Sequence, residues 1–389
     1  MTKLEKIYLL PPLSNQYGVI DYFTDELCQA LKRQGIQARI IETNREDPKG
    51  FLEQILTDPP NCTLSFNGLL PDQEGRFLCD LIQIPHVACL TDAPFYFFPL
   101  LQSPRNIITC IDQDFCQTFQ NLQCSKVFFL PHAVSSTLMP LSTPDLRYDI
   151  LVLNSYIDYE EIRDRWQQKY SPQIKEVLEE AAEWALTDLN TSYIETFMQT
   201  MDKHLRMGKS IDPVGLNYLE ILDDLQAYIG GKSRVEVIKA IKGASIHIFG
   251  SNATSWKKHL KTSDSSITFH QPVSFLEAIE LMKHAKIVLN CTPEIKKGFH
   301  ERLLNSLACG AAVLNLDTSF INQHFKADEE ILLYQPQAWD TMNEKIQLYL
   351  NDEAKRQELA RKGRAKVMSN HTWDQRAQTL VEQLPSLLT

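Results

Sequence analysis

The residues of this chain best suited to chemistry stand in the run Gly298-Phe299-His300-Glu301-Arg302-Leu303-Leu304-Asn305. A glycine-led loop that feeds a helix N-terminus presents unpaired backbone N–H groups to an anion. Arg302 is planar and always charged, and stands where it can reach a diphosphate. Ala308-Cys309-Gly310-Ala311 and the apolar Ala312–Leu316 follow, so the segment reads as loop, helix, small-residue turn and strand. This is a nucleotide-diphosphate site in outline.

Other candidates lie after strand-like runs. Asp92 follows His86–Leu90 and His132 follows Lys126–Leu130. Either could take the proton of an acceptor hydroxyl. Asp92 before Pro94 could equally bond its own backbone in a turn, and His132 after Pro131 could be a surface turn residue. Gly250, with Ser251 and Asn252 behind it, either contacts phosphate or simply ends a strand. The run Phe95-Tyr96-Phe97-Phe98 fits core packing better than an acceptor groove. Asp112-Gln113-Asp114 has the form of a metal-binding Asp-x-Asp but suits a turn and helix cap better. The 9 cysteines form no Cys-x-x-Cys pair, so they are expected in the core, with neither a metal centre nor a disulfide framework.

The elements that must position these groups alternate between strand and helix, as in a parallel, doubly wound sheet. Strands are expected at Lys6–Leu10, Gln37–Glu42, Thr63–Phe66, His86–Leu90, Ile107–Ile111, Lys126–Leu130 and Asp149–Asn154, with a helix over Tyr17–Gln34. Loops such as Asn15–Gly18, Asn67-Gly68 and Thr91–Pro94 follow the strand ends, where such sheets bind ligands. From Asp158 to about Gly231 the chain is charged and helically periodic, which predicts an insert of two to four helices. Gly230–Ser233 reads as a hinge. Strands then return near Ile246, Ile267, Ile287, Ala312 and Ile331, and the chain from Pro336 onward is almost wholly helical.

The Gly298 segment resembles the donor-binding loop and helix of two-domain (GT-B) glycosyltransferases, most closely the CgeB-like branch, with its glycine, His-x-Arg, helix and Ala-Cys-Gly-Ala. The resemblance spans Arg234 to about Leu384: Ser245–Gly250, Phe269–Val273, Ala285–Asn290 and a closing His371-Thr372-Trp373-Asp374-Gln375-Arg376 all match in order. It implies two Rossmann-like α/β domains with a cleft and an all-helical insert: residues 1–155 for the acceptor, 156–231 for the insert, 232–370 for the nucleotide sugar, and 371–389 as a helix returning to the first domain. It also implies donor contacts from Gly250, Ser251, Asn252, His270, Pro272, Gly298, Phe299, His300, Arg302, Leu304 and Asn305. The nucleobase is then read by backbone groups in loops such as His270–Val273. Many retaining relatives carry two glutamates eight positions apart; Lys297 and Asn305 stand there in this chain, and Asn305 can still bond a ribose hydroxyl.

With 389 residues and 43% hydrophobic content, the chain suits about two globular domains. Its net charge of −10 argues against broad binding to nucleic acid or membrane surfaces. No apolar stretch is long enough to span a membrane and the N-terminus lacks secretory features, so a cytoplasmic protein is expected. The function implied is metal-independent transfer of a sugar from a nucleotide-diphospho sugar to an unknown acceptor, with no cofactor beyond the donor. The alternatives are a binding or scaffold module acting through residues 156–231, and a sugar-nucleotide epimerase of the same fold.

Overall fold

The computed structural model describes residues 3–11, 16–41, 48–143, 145–260 and 266–388; Asn15 and Glu42, which fall in an expected loop and strand, lie outside the described residues. The chain divides into two compact units, Met1–Leu138 with Ser274–Leu276 and Val367–Thr389, and Met139–Val273 with Glu277–Lys366.

In the first unit, β1 (Lys6–Leu9), β2 (Gln37–Ile40), β3 (Cys62–Phe66), β4 (His86–Leu90), β5 (Asn106–Cys110) and β6 (Val127–Phe129) form a parallel sheet in the order β2-β1-β3-β4-β5-β6. Every residue of β3, β4 and β5 is buried, as a parallel sheet covered on both faces requires. Helices α1 (Val19–Arg33), α2 (Pro48–Leu56), α3 (Leu78–Ile82) and α4 (Gln113–Asn121) connect these strands. Asp112 caps α4, accepting the Asp114 N–H at 2.7 Å, so this acidic pair is a helix start. The cysteines in this sheet are small core residues, and burial pushes the Cys62 and Cys89 thiols up to about 12.

The His-Thr-Trp-x-x-Arg motif fastens the C-terminal helix Trp373–Leu387 to the same unit. Trp373 packs against Phe23 and Phe66, with ring centroids 5.2 and 5.8 Å away. Buried Arg376 donates to the carbonyls of Pro131 at 2.7 Å and His132 at 2.8 Å. Burial brings its guanidinium down to about 10.

In the second unit, the four insert helices are α5 (Tyr159–Lys169), α6 (Pro172–Thr187), α7 (Tyr193–Arg206) and α8 (Tyr218–Ala240). The strands are β7 (Tyr148–Val152), β8 (Ser245–Phe249), β9 (Ser266–His270), β10 (Ala285–Asn290), β11 (Ala312–Leu316) and β12 (Leu332–Tyr334), a parallel sheet in the order β12-β11-β10-β7-β8-β9. The remaining helices are α9 (Ala253–Leu260), α10 (Phe275–Lys283), α11 (Glu301–Ala308), α12 (Ser319–His324), α13 (Trp339–Asn351) and α14 (Glu353–Asn370). The expected fold class is present: two parallel six-stranded sheets of Rossmann-like form.

Asp158, Ser171, Ser192 and Asn217 each cap an insert helix with a side-chain oxygen. Trp166, Val177, Leu178, Phe197 and Leu225 are buried among these helices. The expected hinge at Gly230–Ser233 is absent, because both glycines lie inside α8. A Cβ on Gly231 would come within 2.8 Å of the Ile157 carbonyl oxygen, so glycine here permits close packing against the start of the insert.

A candidate anion site at the strand ends of the second unit

The turn that leaves β7 at Asn154–Ser155 is the centre of this site. Arg302, in the first turn of α11, donates from Nη1 to Asn154 Oδ1 at 3.3 Å. Arg234, from the last turns of α8, donates from Nη1 to the Ser155 carbonyl at 3.3 Å. Two guanidiniums from distant parts of the chain thus grip one turn. His300 caps α11, its Nδ1 accepting the Arg302 N–H at 3.2 Å while the ring also touches the Glu301 carboxylate. Glu294, after β10, lies 3.8 Å from Arg234 in a largely buried ion pair.

The charges are tightly balanced. Burial lowers the Arg302 pKa, Glu301 and Glu294 oppose that shift, and Arg234 reinforces it. Arg234 Nε and Glu294 Oε2 are buried without a hydrogen-bond partner among the described residues. Guanidinium groups with hydrogen-bonding capacity left over are donors of the kind that pair with phosphate oxygens. Among the described residues no group of three or more His, Cys, Asp or Glu is arranged to hold a metal ion.

The other expected donor residues occupy distinct surroundings. A Cβ on Gly250 would lie 2.1 Å from the Asn154 carbonyl oxygen, so this glycine lets the β8 end pass directly over the central turn. The Ser251 N–H donates to Ser155 Oγ at 3.3 Å, and Asn252 adopts φ 63°. His270 stacks on Phe249 at 4.1 Å and lies 3.0 Å from His247 Nδ1, with burial lowering its pKa; Pro272 is exposed. Gly298 is buried, and Phe299 packs among Phe320, His324 and Phe325. Leu304 and Asn305 are fully buried on the inner face of α11, where Asn305 Nδ2 donates to the Glu301 carbonyl at 2.9 Å. Lys297 is half-buried.

Of the two acceptor-side candidates in the first unit, Asp92 is exposed, accepts from Asn67 Nδ2 at 2.7 Å and lines a cavity of about 460 Å³. His132 is buried, its ring 5.4 Å from that of Phe23. Phe95 and Phe97 are core residues while Tyr96 reaches the surface. Arg234 and Glu294 are the charged groups that sequence reasoning missed. Glu294 stands just past a strand end, the position where ligand groups of such sheets gather, and that signal was available.

Residues 233–382 match a family model described as glycosyl transferase-like. That segment is similar to glycosyl transferase-like domains. It carries Arg234, Glu294, His300 and Arg302, the groups around the central turn. Sucrose-phosphate synthase from Thermosynechococcus elongatus is similar in structure, with a TM-score of 0.56 and 11% identity over 98% of this chain and 99% of that one. HepE of Anabaena in complex with UDP-glucose gives 0.53 and 11% over 98% and 99%. A glycosyltransferase of avilamycin A biosynthesis gives 0.52 and 11% over 99% and 98%. These likenesses extend over the whole chain and share its fold, that of two-domain glycosyltransferases. A search of curated protein sequences finds no match. Among the described residues, no helix is long and apolar enough to cross a membrane.

Proposed function

We propose that the protein transfers a sugar from a nucleoside-diphospho sugar to an acceptor hydroxyl, and that Arg234 and Arg302 hold the diphosphate beside the N-terminus of α11. The observation that carries this reading is the convergence of both guanidiniums on the Asn154–Ser155 turn. In such a transfer negative charge grows on the leaving diphosphate, and fixed cationic donors in a partly dry site lower the barrier by meeting that charge where it forms. His300, as the cap of α11, aligns Arg302 and the first turn of the helix. Asp92 is the proposed base, because it is the acceptor-side candidate exposed on a cavity; the ring of His132 is packed in the core. Kinship with the CgeB-like branch, suggested by His300-x-Arg302 and Ala308–Ala311, is part of the same proposal.

The UDP-glucose bound to the similar Anabaena protein makes uridine diphosphate sugars the first donors to try. The test is release of free UDP from UDP-glucose, UDP-galactose and UDP-N-acetylglucosamine by the full chain, with guanosine and thymidine diphosphate sugars in parallel. Release from one donor, lost in Arg302→Ala, supports the proposal. Neither release nor binding across all donors overturns it. A second reading, a non-catalytic module that engages a protein through residues 156–231, is favoured by the insert's own buried residues and charged faces, and it expects that negative outcome.

A further inference from the structure

Helix α6 carries Glu176, Glu179, Glu180 and Glu183. Glu176 with Glu180, and Glu179 with Glu183, stand four residues apart, so their like charges repel across one helical turn. Cations from neighbouring elements ease that repulsion. Arg163 of α5 lies 3.1 Å from Glu179, Lys209 lies 2.8 Å from Glu176, and His204 of α7 meets Glu180 at 2.9 Å. Among the described residues Glu183 has no ion pair. The four glutamates line one cavity of about 660 Å³, within the size range of small-molecule sites, and Glu236 of α8 joins them. Every described lining residue belongs to the second unit.

Two buried rings in the lining, Trp166 and Tyr228, have centroids 4.9 Å apart. Lys232 Nζ sits 5.7 Å from the Tyr228 centroid and 3.9 Å from Glu236, so an ammonium already rests on this ring beside a carboxylate. His204, 6% exposed and also in the lining, gives an independent sign of what fits. Bonds from Lys203 and His204 hold the Glu180 carboxyl below its usual range, so it accepts and the His204 proton stands on Nε2. In the neutral ring Nδ1 is then an acceptor, and it is buried without a hydrogen-bond partner among the described residues. An N–H donor relieves the cost of that unpaired acceptor.

We infer that this cavity binds an organic polyamine, a small molecule of protonated amines joined by methylenes. Its ammonium groups pair with Glu183 and the other α6 carboxylates, one N–H donates to His204 Nδ1, and its methylenes lie against Trp166 and Tyr228. The resident ion pairs yield to it, because exposed pairs such as Arg163–Glu179 and Lys209–Glu176 are individually weak. A monoamine gains one such contact, whereas a polyamine gains several once the first has formed, so affinity rises steeply with the number of amines. The donor site plays no part in this inference, which stands or falls apart from the transferase reading.

The test is calorimetric titration of the full chain with spermidine and n-butylamine at fixed ionic strength, in wild type, Glu183→Gln and Glu344→Gln. Both glutamates are exposed, so the variants keep the fold, and thermal midpoints matching wild type verify it. Glu344, on α13, is not part of the described lining and reports the general attraction of cations to a protein of net charge −10. The expected result is saturable spermidine binding at one site, at least tenfold tighter than n-butylamine, weakened at least fivefold by Glu183→Gln and less than twofold by Glu344→Gln. No saturable spermidine binding in wild type, equal affinity for the two amines, or an affinity that Glu183→Gln leaves unchanged or lowers no more than Glu344→Gln overturns the inference.

Discussion

Around the Asn154–Ser155 turn, Arg234, Arg302, Glu294 and Glu301 stand in largely buried positions where each balances another, whereas among the described residues the cavity beside Asp92 is walled by uncharged side chains and holds one carboxylate. Charges in a partly dry site interact strongly but hold one another in check, so an incoming anion must displace contacts as well as make them. An apolar cavity selects by shape and by the few polar groups it contains. The first arrangement suits a ligand part that never varies, such as a diphosphate; the second suits a part that defines one enzyme among many. Removing a group should therefore change affinity in the first region and turnover or selectivity in the second.

The largest effect is expected at Asp92. If it is the base, Asp92→Asn should lower the transfer rate by roughly 10²- to 10⁴-fold, the usual weight of general base catalysis, while leaving UDP affinity within about twofold. Stopped-time product assays beside calorimetry would show this, and a parallel loss of UDP affinity would break the comparison between the regions.

Acid should expose a titratable group that the first unit buries in neutral form. Burial lowers the His86 pKa to about 3, and the ring sits between Thr63 and Ser65 at 2.8 and 2.9 Å. The unfolded chain takes up this proton below about pH 6.5 and the folded chain does not, so stability falls as pH drops from about 6.5 towards 3. The slope from this group is about 1.4 kcal/mol per pH unit. Urea midpoints for the wild type and His86→Phe at pH 7 and pH 4.5 should show a shallower acid loss in the variant, even though its stability at neutral pH is lower.

Arg302→Ala should weaken UDP by about 1.5–3 kcal/mol, the range for hydrogen bonds to charged groups. Arg302→Lys should recover only part of this, because an ammonium cannot reproduce the planar fork. Full recovery in calorimetry would mean that charge alone matters at this position.

The smallest effect concerns how the insert supports the donor loop. Lys296, 1% exposed, donates from Nζ to the carbonyls of Ala185 at 2.8 Å and Asp188 at 2.6 Å, joining the end of α6 to the loop before α11. Lys296→Met leaves the Ala185 and Asp188 carbonyls without this partner and should cost about 1–3 kcal/mol of stability, with a smaller loss of donor affinity. A thermal midpoint equal to wild type would show that this tether is dispensable.

Much of this arrangement is legible in the residues themselves. Runs such as His86–Leu90 and Ala285–Asn290 read as strands because parallel strands buried on both faces need predominantly apolar sequence. Arg302 is legible because a glycine loop, a cap and a charged first turn are local features. Sheet membership is not local: Tyr148–Val152 reads as a strand, yet only pairing with β8 and β10 places it at the centre of the second sheet. Gly230-Gly231 carries the composition of a hinge and serves instead as a packing notch inside α8, because what decides its role is the Ile157 backbone pressed against it. Arg234 was hidden for the same reason, since its partners Ser155 and Glu294 are remote in sequence. The cavity beside Asp92 lies where Asn67 and Gly68, both left-handed, turn the backbone after β3, which is paired with β4, and residue types alone report only that a turn occurs there.

The central claim, that paired guanidiniums recognise a nucleoside diphosphate, is tested most directly by calorimetry of uridine, UMP and UDP on the wild type and Arg302→Ala. The account predicts affinity rising from uridine through UMP to UDP in the wild type, and a roughly ten- to hundredfold loss for UDP in the variant with little change for uridine. Uridine binding as tightly as UDP, or UDP affinity untouched by Arg302→Ala, would contradict it.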